Sequence, residues 1–192
     1  PAFKAHTLTL PTESIVARSI GTNVDPDRIR EVRNSLLAAI AARIAEPLER
    51  IYLTNDSRLA YSPDFKQAGR RAMKNAALSL LVQGGTGYGP QLAREQYQRA
   101  QNMTDRFAAL TAVVTAWTED AQALLGDFRT MYTADPLVFD KWLALNALAP
   151  DPAALDRIEA LLADPGFPRN NPNRLRALVG TFGMNNPAQF AR

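Results

Sequence analysis

Cysteine is absent from this 192-residue chain and histidine occurs once, as His6. The first absence excludes disulfides, thiolate zinc sites and cysteine nucleophiles together, and it suits a reducing compartment. The second excludes the HExxH zinc motif, histidine-rich metal clusters and a serine nucleophile paired with histidine in the usual triad. His6 stands near the terminus, where a surface or packing role is expected of it. Long apolar runs are missing as well: nowhere do about 18 apolar residues follow one another, and the opening PAFKAHTLTLPTES has no basic stretch leading into an apolar one. As given, the sequence reads as neither targeted nor membrane-spanning, and the cytoplasm is the default location. Lysine is scarce, 4 against 18 arginines, a skew that a GC-rich genome also produces and that carries no functional reading.

The net charge of +3 hides an imbalance. Residues 1–100 hold 14 Lys/Arg against 9 Asp/Glu, and residues 101–192 hold 8 against 10. Neither half has the one-sided charge of a nucleic-acid-binding tail. The length fits one domain or slightly more, and a chain of this size buries roughly 70% of its unfolded surface without staples.

What the sequence does have is helical periodicity almost from end to end. Asp25-Pro26 is an N-cap followed by an N1 proline, and Ile29, Val32, Leu36, Ile40 and Ile44 then form one apolar stripe. Pro47 lies inside this pattern and should kink it or start a new helix, so residues 26–53 are one bent helix or two. A second helix begins at Ser62-Pro63-Asp64, is predicted to bury Phe65, Ala72, Met73, Ala76, Leu80 and Leu81, and stops at the glycine-rich QGGTGYGP. Further helices fall at about 90–100, 104–117 and 119–133. Asp135-Pro136, Asp151-Pro152 and Asn171-Pro172 open three more, the last with Leu175, Leu178, Val179 and Phe182 as its apolar side. Only the first ten residues look extended, because HTLTLP alternates polar and apolar. The expected fold is all-α: an irregular α-solenoid of stacked antiparallel helix pairs, similar to armadillo or HEAT arrays, with a short extended N-terminal segment. No fixed-period sequence repeat is present.

Candidates for chemistry are few. QGGTGYGP lacks the GK[ST] ending of a phosphate loop and follows a helix where a phosphate loop follows a strand. Lys66, Arg70, Arg71 and Lys74 fall at i, i+4, i+5 and i+8 and set a basic stripe on one helix face, read as solvated or as a docking surface inside a larger protein. Aromatic residues do not interleave with it, so single-strand stacking has no support and no nucleic-acid partner is expected. Asp135 with Asp140, and Asp151 with Asp156, stand at helix starts, where capping accounts for them. The segment Asn170-Asn171-Pro172-Asn173-Arg174-Leu175-Arg176 is different, because it puts two cations in or beside the first turn of a helix, where the macrodipole disfavours positive charge. Such a break of a local rule fits an anion or carboxylate receptor built from N–H and guanidinium groups; it fits equally arginines that face solvent or pair with a neighbour.

Several stretches also carry a resemblance: LTLPTES (8–14), Gln101-Asn102-Met103-Thr104-Asp105 followed by RFAALTAVV, FDKWLALNA (139–147), and above all NPNRLRALVGTFGMNNPAQF (171–190). In this order they resemble the C-terminal helical domain of the bacterial aminopeptidase N family of zinc aminopeptidases, and they span nearly the whole chain. The resemblance implies a broad-specificity cytoplasmic enzyme with a β-rich N-terminal domain, a thermolysin-like catalytic domain with HExxH and a downstream glutamate, a small β-sandwich, and this domain closing over the active site. The helical domain would enclose a cavity, restrict access and turn polar side chains toward a bound peptide. By the NPNRLR match, Arg176 is the residue implied to face that cavity, with Arg174 and Asn173 beside it. The catalytic motif, the GxMEN element and the zinc ligands are all lacking here, so zinc would belong to the parent enzyme, no cofactor to this chain, and no catalytic residue is expected in it. The partners implied are the other domains of the same polypeptide and a peptide substrate, with neither nucleic acid nor membrane. Residues 1–192 would form a single helical domain, a fragment that stops before the family's last helices. The competing reading is a free-standing helical-repeat scaffold for a protein partner.

Overall fold

A computed structural model describes residues 2–57 and 60–192. Among them every regular element is a helix, and no strand forms. The chain folds as two compact units, one comprising the residues up to Pro11 with Val32–Val113, the other Thr12–Glu31 with Val114–Arg192.

In the first unit, α1 (Ala2–His6) packs on α4 (Phe65–Gln83), which also packs on α5 (Gly89–Arg99). The helix α1 stands where the sequence pattern predicts extended chain. The alternation in HTLTLP is too short to compete with local bonds: the Thr7 and Thr9 hydroxyls donate to Lys4 O and His6 O, both at 2.7 Å, and close the helix end. Irregular chain is confined to residues 9–12. Pro1 lies outside the described residues.

The long helix α3 (Pro26–Asn55) starts at the predicted cap and contributes residues to both units. It breaks at Ile44 (φ −126°, ψ 24°), three residues before Pro47. The proline ring would collide with the carbonyl of residue 43, so the break falls upstream of the proline rather than at it. The buried face of this helix within the first unit carries Leu37, Ala41, Leu48 and Tyr52, whereas Val32 and Leu36 are 51% and 47% exposed. The apolar arc predicted for the helix is therefore rotated by about one residue. On α4, Asp64 caps the first turn as its spacing predicts, its Oδ1 accepting from Lys66 N (2.9 Å) and Gln67 N (3.0 Å). Phe65 follows it but is exposed, and burial begins a turn later at Gly69 and continues through Lys74, Ala77, Leu78 and Leu80–Val82. The following turn brings backbone against α3: a Cβ on Gly84 would lie 2.2 Å from Ala41 Cβ and 2.7 Å from Leu80 O.

In the second unit, α2 (Glu13–Ile20) is capped by Thr12, and α8 (Pro136–Leu148) is central. The sequence PLVFDKWLALNAL is apolar on most sides, which suits a helix with neighbours all round. It packs against α7 (Ala121–Met131), α9 (Ala154–Ala163) and a C-terminal assembly of short helices: α10 (Pro172–Leu175), a π-helical turn (Arg176–Gly180) and α11 (Thr181–Asn185), followed by α12 (Pro187–Phe190). Leu143, Ala147, Ala154, Ile158, Phe167, Leu178 and Phe182 make one core cluster, with Phe139 and Trp142 packed at its edge. Helix α6 (Met103–Ala116), like α3, contributes to both units.

Candidate functional site

The segment singled out by its misplaced cations lies at the entry to α10. Asn171 is the N-cap, its Oδ1 accepting from Asn173 N (3.0 Å), while its carbonyl accepts from Arg174 N (3.1 Å) and Pro172 has no N–H to offer. The first-turn N–H groups are thus taken within the chain, and any anion received here would be met by side chains alone.

The two arginines part company. Arg174 is buried, pairs with the Asp140 carboxylate of α8, and sets its guanidinium 5.1 Å from the Phe139 ring centroid. Arg129 lies 4.3 Å from the same ring, and Phe139 stacks on Trp142 at 5.6 Å and 16°. Trp142 is fixed in turn by Nε1–H donating to Leu125 O at 2.9 Å. Arg174 is held by an opposite charge and an aromatic face, which explains how a cation is tolerated beside a helix start. Asp140 is correspondingly a partner of Arg174 and not a cap, whereas Asp135 does cap, accepting from Leu137 N (3.0 Å) and Val138 N (3.2 Å). Asp151 is not the cap of α9 either, because the helix begins at Ala154 with Ala153 as its N-cap: Asp151 accepts from Ala153 N at 2.7 Å in the preceding turn and pairs with Arg157.

Arg176 is exposed, with Nη1–H donating to Asn173 Oδ1 at 3.3 Å. Asn173 is exposed beside it. The π-helical turn begins at this residue: Thr181 N–H reaches back five residues to Arg176 O, and the Thr181 hydroxyl donates to the same carbonyl at 3.4 Å. Of the three residues named by motif, Asn173 and Arg176 share a surface and Arg174 points into the core.

A polar cluster in the first unit has no counterpart in the sequence reading. Lys74 is only 4% exposed and donates to Asp105 Oδ2 (2.9 Å) and Asp56 Oδ1 (3.1 Å). Asp105 also accepts from Asn75 (3.0 Å) and Asn102 (3.1 Å), while the Gln96 amide donates to its carbonyl at 2.9 Å. A cavity of about 440 Å³ opens beside Asp56, Tyr61, Lys74, Gln96, Arg99 and Asn102. The predicted basic stripe is therefore interrupted: Lys74 is neutralised inside the protein, and Arg71 bends back to Ser62 O (2.9 Å) and the Tyr61 ring. The local feature that could have pointed to the cluster is the Asn102-x-x-Asp105 spacing, a helix N-cap in which Asp105 N donates to Asn102 Oδ1 at 2.9 Å.

The other quoted motifs are also internal connectors. Arg30 donates to both carboxylate oxygens of Glu13 (3.0 and 3.2 Å) and to Asn186 Oδ1 (2.6 Å), and the fully buried Asn186 donates to Ala147 O and Ala149 O, both at 2.9 Å. Ser14 donates to Met184 O. LTLPTES and MNNPAQF are in this way tied to each other and to the end of α8. Among the described residues no three His, Cys, Asp or Glu side chains are grouped to hold a metal, and no helix is long and apolar enough to cross a membrane.

Packed helices, with no strand among the described residues and with buried polar side chains connecting them, define an armadillo-type helical domain. The chain belongs to the family described as "Domain of unknown function (DUF3458_C) ARM repeats", whose profile matches residues 1–192. It is 36% identical over 190 residues to aminopeptidase N of Escherichia coli, 37% over 192 residues to that of Caulobacter vibrioides, and 39% over 183 residues to that of Haemophilus influenzae. These alignments take in 99%, 99% and 95% of the chain but 22%, 22% and 21% of the relatives, so the chain spans about a fifth of their length and matches their C-terminal region. A crystal structure of Legionella pneumophila aminopeptidase A in complex with aspartic acid superposes with a TM-score of 0.84 at 25% identity, over 97% of this chain and 23% of that one. The resemblance read from the motifs, to the C-terminal helical domain of aminopeptidase N, holds along the whole chain, as does the all-α solenoid-like fold.

Proposed function

We propose that this chain is the substrate-covering helical domain of a broad-specificity, cytoplasmic zinc aminopeptidase, and that it shapes access to an active site held by other domains of the same polypeptide. The observation that carries this reading is the end-to-end similarity to about a fifth of aminopeptidase N, its C-terminal region. Its described residues offer no zinc ligand set, and the metal of the parent enzyme would be held elsewhere. What remains for this domain is positional: to exclude bulky substrates, and to meet a carbonyl or carboxylate oxygen of the bound peptide with the exposed guanidinium of Arg176 and the amide of Asn173. The Legionella neighbour was crystallised with an acidic amino acid, which is consistent with carboxylates being handled by such enzymes. Neither a nucleic acid nor a membrane is a partner in this reading.

Two measurements test it. The 192-residue chain alone should neither turn over an alanyl chromogenic substrate nor bind stoichiometric zinc, and chelator-sensitive turnover by it would overturn the proposal. In the complete polypeptide, Arg176→Ala should raise KM for peptides of three or more residues about tenfold while sparing a single-residue chromogenic substrate. Unchanged kinetics over several peptide lengths would remove the role given to Arg176.

A further inference from the structure

We propose that Asp140 and Arg174 are positioning residues for Arg176: the ion pair between the buried guanidinium and the half-buried carboxylate fixes the rotation of the first turn of α10 so that Arg176 leaves it toward the substrate. The inference rests on the reading of Arg176 given above. Residues two apart on a helix are separated by roughly 200° around its axis, since 3.6 residues make a turn. A side chain pinned on one side therefore dictates where its neighbour but one emerges. Arg174 is the pin: it is 7% exposed, paired with Asp140 and set against the Phe139 ring, whereas Arg176 is exposed.

Three features make this an orienting device rather than one more core contact. A helix start tolerates a cation poorly, and an apolar residue at 174 would fill the same space without that penalty, so the buried charge serves direction more than burial. The planar guanidinium reaches one Asp140 carboxylate oxygen through Nη1 and the Phe139 ring at once, two contacts in fixed directions that constrain rotation in a way a flexible apolar chain does not. On the far side of Arg176 the backbone is fixed again, because Thr181 gives both its N–H and its hydroxyl to the Arg176 carbonyl within the π-helical turn. Turns of this type recur at functional sites. Arg176 is clamped on both sides along the backbone, while its side chain donates over a long 3.3 Å to Asn173 Oδ1. The NRLR spacing thus separates two duties: the first arginine orients and the second contacts.

The test is a double-mutant cycle in the complete aminopeptidase polypeptide, read as KM and kcat for a tripeptide and for a single-residue chromogenic substrate. Asp140→Asn should raise the tripeptide KM by nearly as much as Arg176→Ala, about tenfold, with kcat on the short substrate unchanged. The double variant should be no worse than either single one, because a misdirected arginine and a missing arginine are the same loss. Asp140→Glu keeps the charge balance but displaces the carboxylate by a methylene, and it should give an intermediate KM; this covers the case in which Asp140→Asn does not fold. Independent effects that multiply in the double variant, or an Asp140→Glu protein that folds with an unaltered tripeptide KM, would overturn the positioning role while leaving Arg176 as the contact. An Arg176→Ala protein with unaltered KM would instead overturn the reading beneath it.

Discussion

Arg174, which is buried, and Asp140, which is half-buried, stand 34 residues apart in sequence and form an ion pair that joins the entry of α10 to α8 beside the Phe139 ring. Removing the buried guanidinium deletes its packing on Phe139 and leaves the half-buried Asp140 carboxylate without its counter-charge, which is more damaging than losing a surface contact. Arg174→Ala should therefore destabilise the chain by roughly 2–4 kcal/mol. Arg176→Ala, two residues on and exposed, should change stability by no more than about 0.5 kcal/mol. Urea denaturation followed by helical circular dichroism reads both. Equal losses from the two variants would show that the burial difference between these arginines is not energetically real.

Lys74 presents the same logic in the first unit, with its ammonium group between two carboxylates, one of which, Asp105, also takes bonds from the amides of Asn75, Asn102 and Gln96. Replacing it by alanine leaves Asp105 buried with its amide donors but no counter-charge, and should destabilise by about 3 kcal/mol. Lys74→Met fills the same volume and should still be destabilising, since the carboxylates stay behind. The variant Lys66→Ala, on the exposed first turn of the same helix, serves as the control and should fall within about 0.5 kcal/mol of the parent chain. Matching denaturation midpoints for Lys74→Met and Lys66→Ala would refute the cage.

These two clusters mark where the sequence stopped being legible. Helix starts at Pro26, Pro136 and Pro172 are readable because an Asx residue followed by proline is a local signal, although the same pair at Asp151-Pro152 makes a turn and α9 starts at Ala154. The buried side of a helix is not local. Val32 and Leu36 are as apolar as Leu37 and Ala41, and only the neighbour that packs on α3 decides between the two arcs. At Arg174 the broken rule was visible in the sequence, but its cause was not, because Asp140 and Phe139 arrive from another helix. Lys74 looked like one member of a solvated stripe for the same reason: Asp105 is 31 residues away. What the motifs announced reliably was kinship. Most of their polar residues turn out to hold helices to helices, so the same residues that identify the family say little about which side chain meets a substrate.

The turn after α4 offers a steric test that involves no charge. Gly84 stands where α3 passes so close that a methyl group would overlap Ala41 Cβ at 2.2 Å and the Leu80 carbonyl at 2.7 Å. Both obstacles belong to packed helices, and one is backbone, so neither can swing aside. Gly84→Ala should cost about 1–3 kcal/mol by forcing α3 and α4 apart. Gly87→Ala, in the same loop with open space around the added methyl group, should be neutral or slightly stabilising by restricting the unfolded chain. A Gly84→Ala protein as stable as the parent would mean that the two helices do not approach so closely.

Tyr52 links burial to pH. Its ring is buried in the first unit, and its hydroxyl has no hydrogen-bond partner among the described residues. Burial, aided by the nearby Asp56 carboxylate, disfavours the phenolate and pushes the pKa up to about 12 from an ordinary 10.0. The neutral phenol is the form the fold accepts, so its contribution is fully present below pH 10 and is lost as the pH rises through 12, where the unfolded chain is already ionised. Tyr52→Phe should leave stability at pH 7 within about 1 kcal/mol of the parent, because the hydroxyl that is removed was making no bond. Between pH 10 and 12 the parent should lose stability faster than the variant, the difference isolating this one group. Parallel pH profiles for the two proteins would mean that the Tyr52 hydroxyl reaches water or a partner after all.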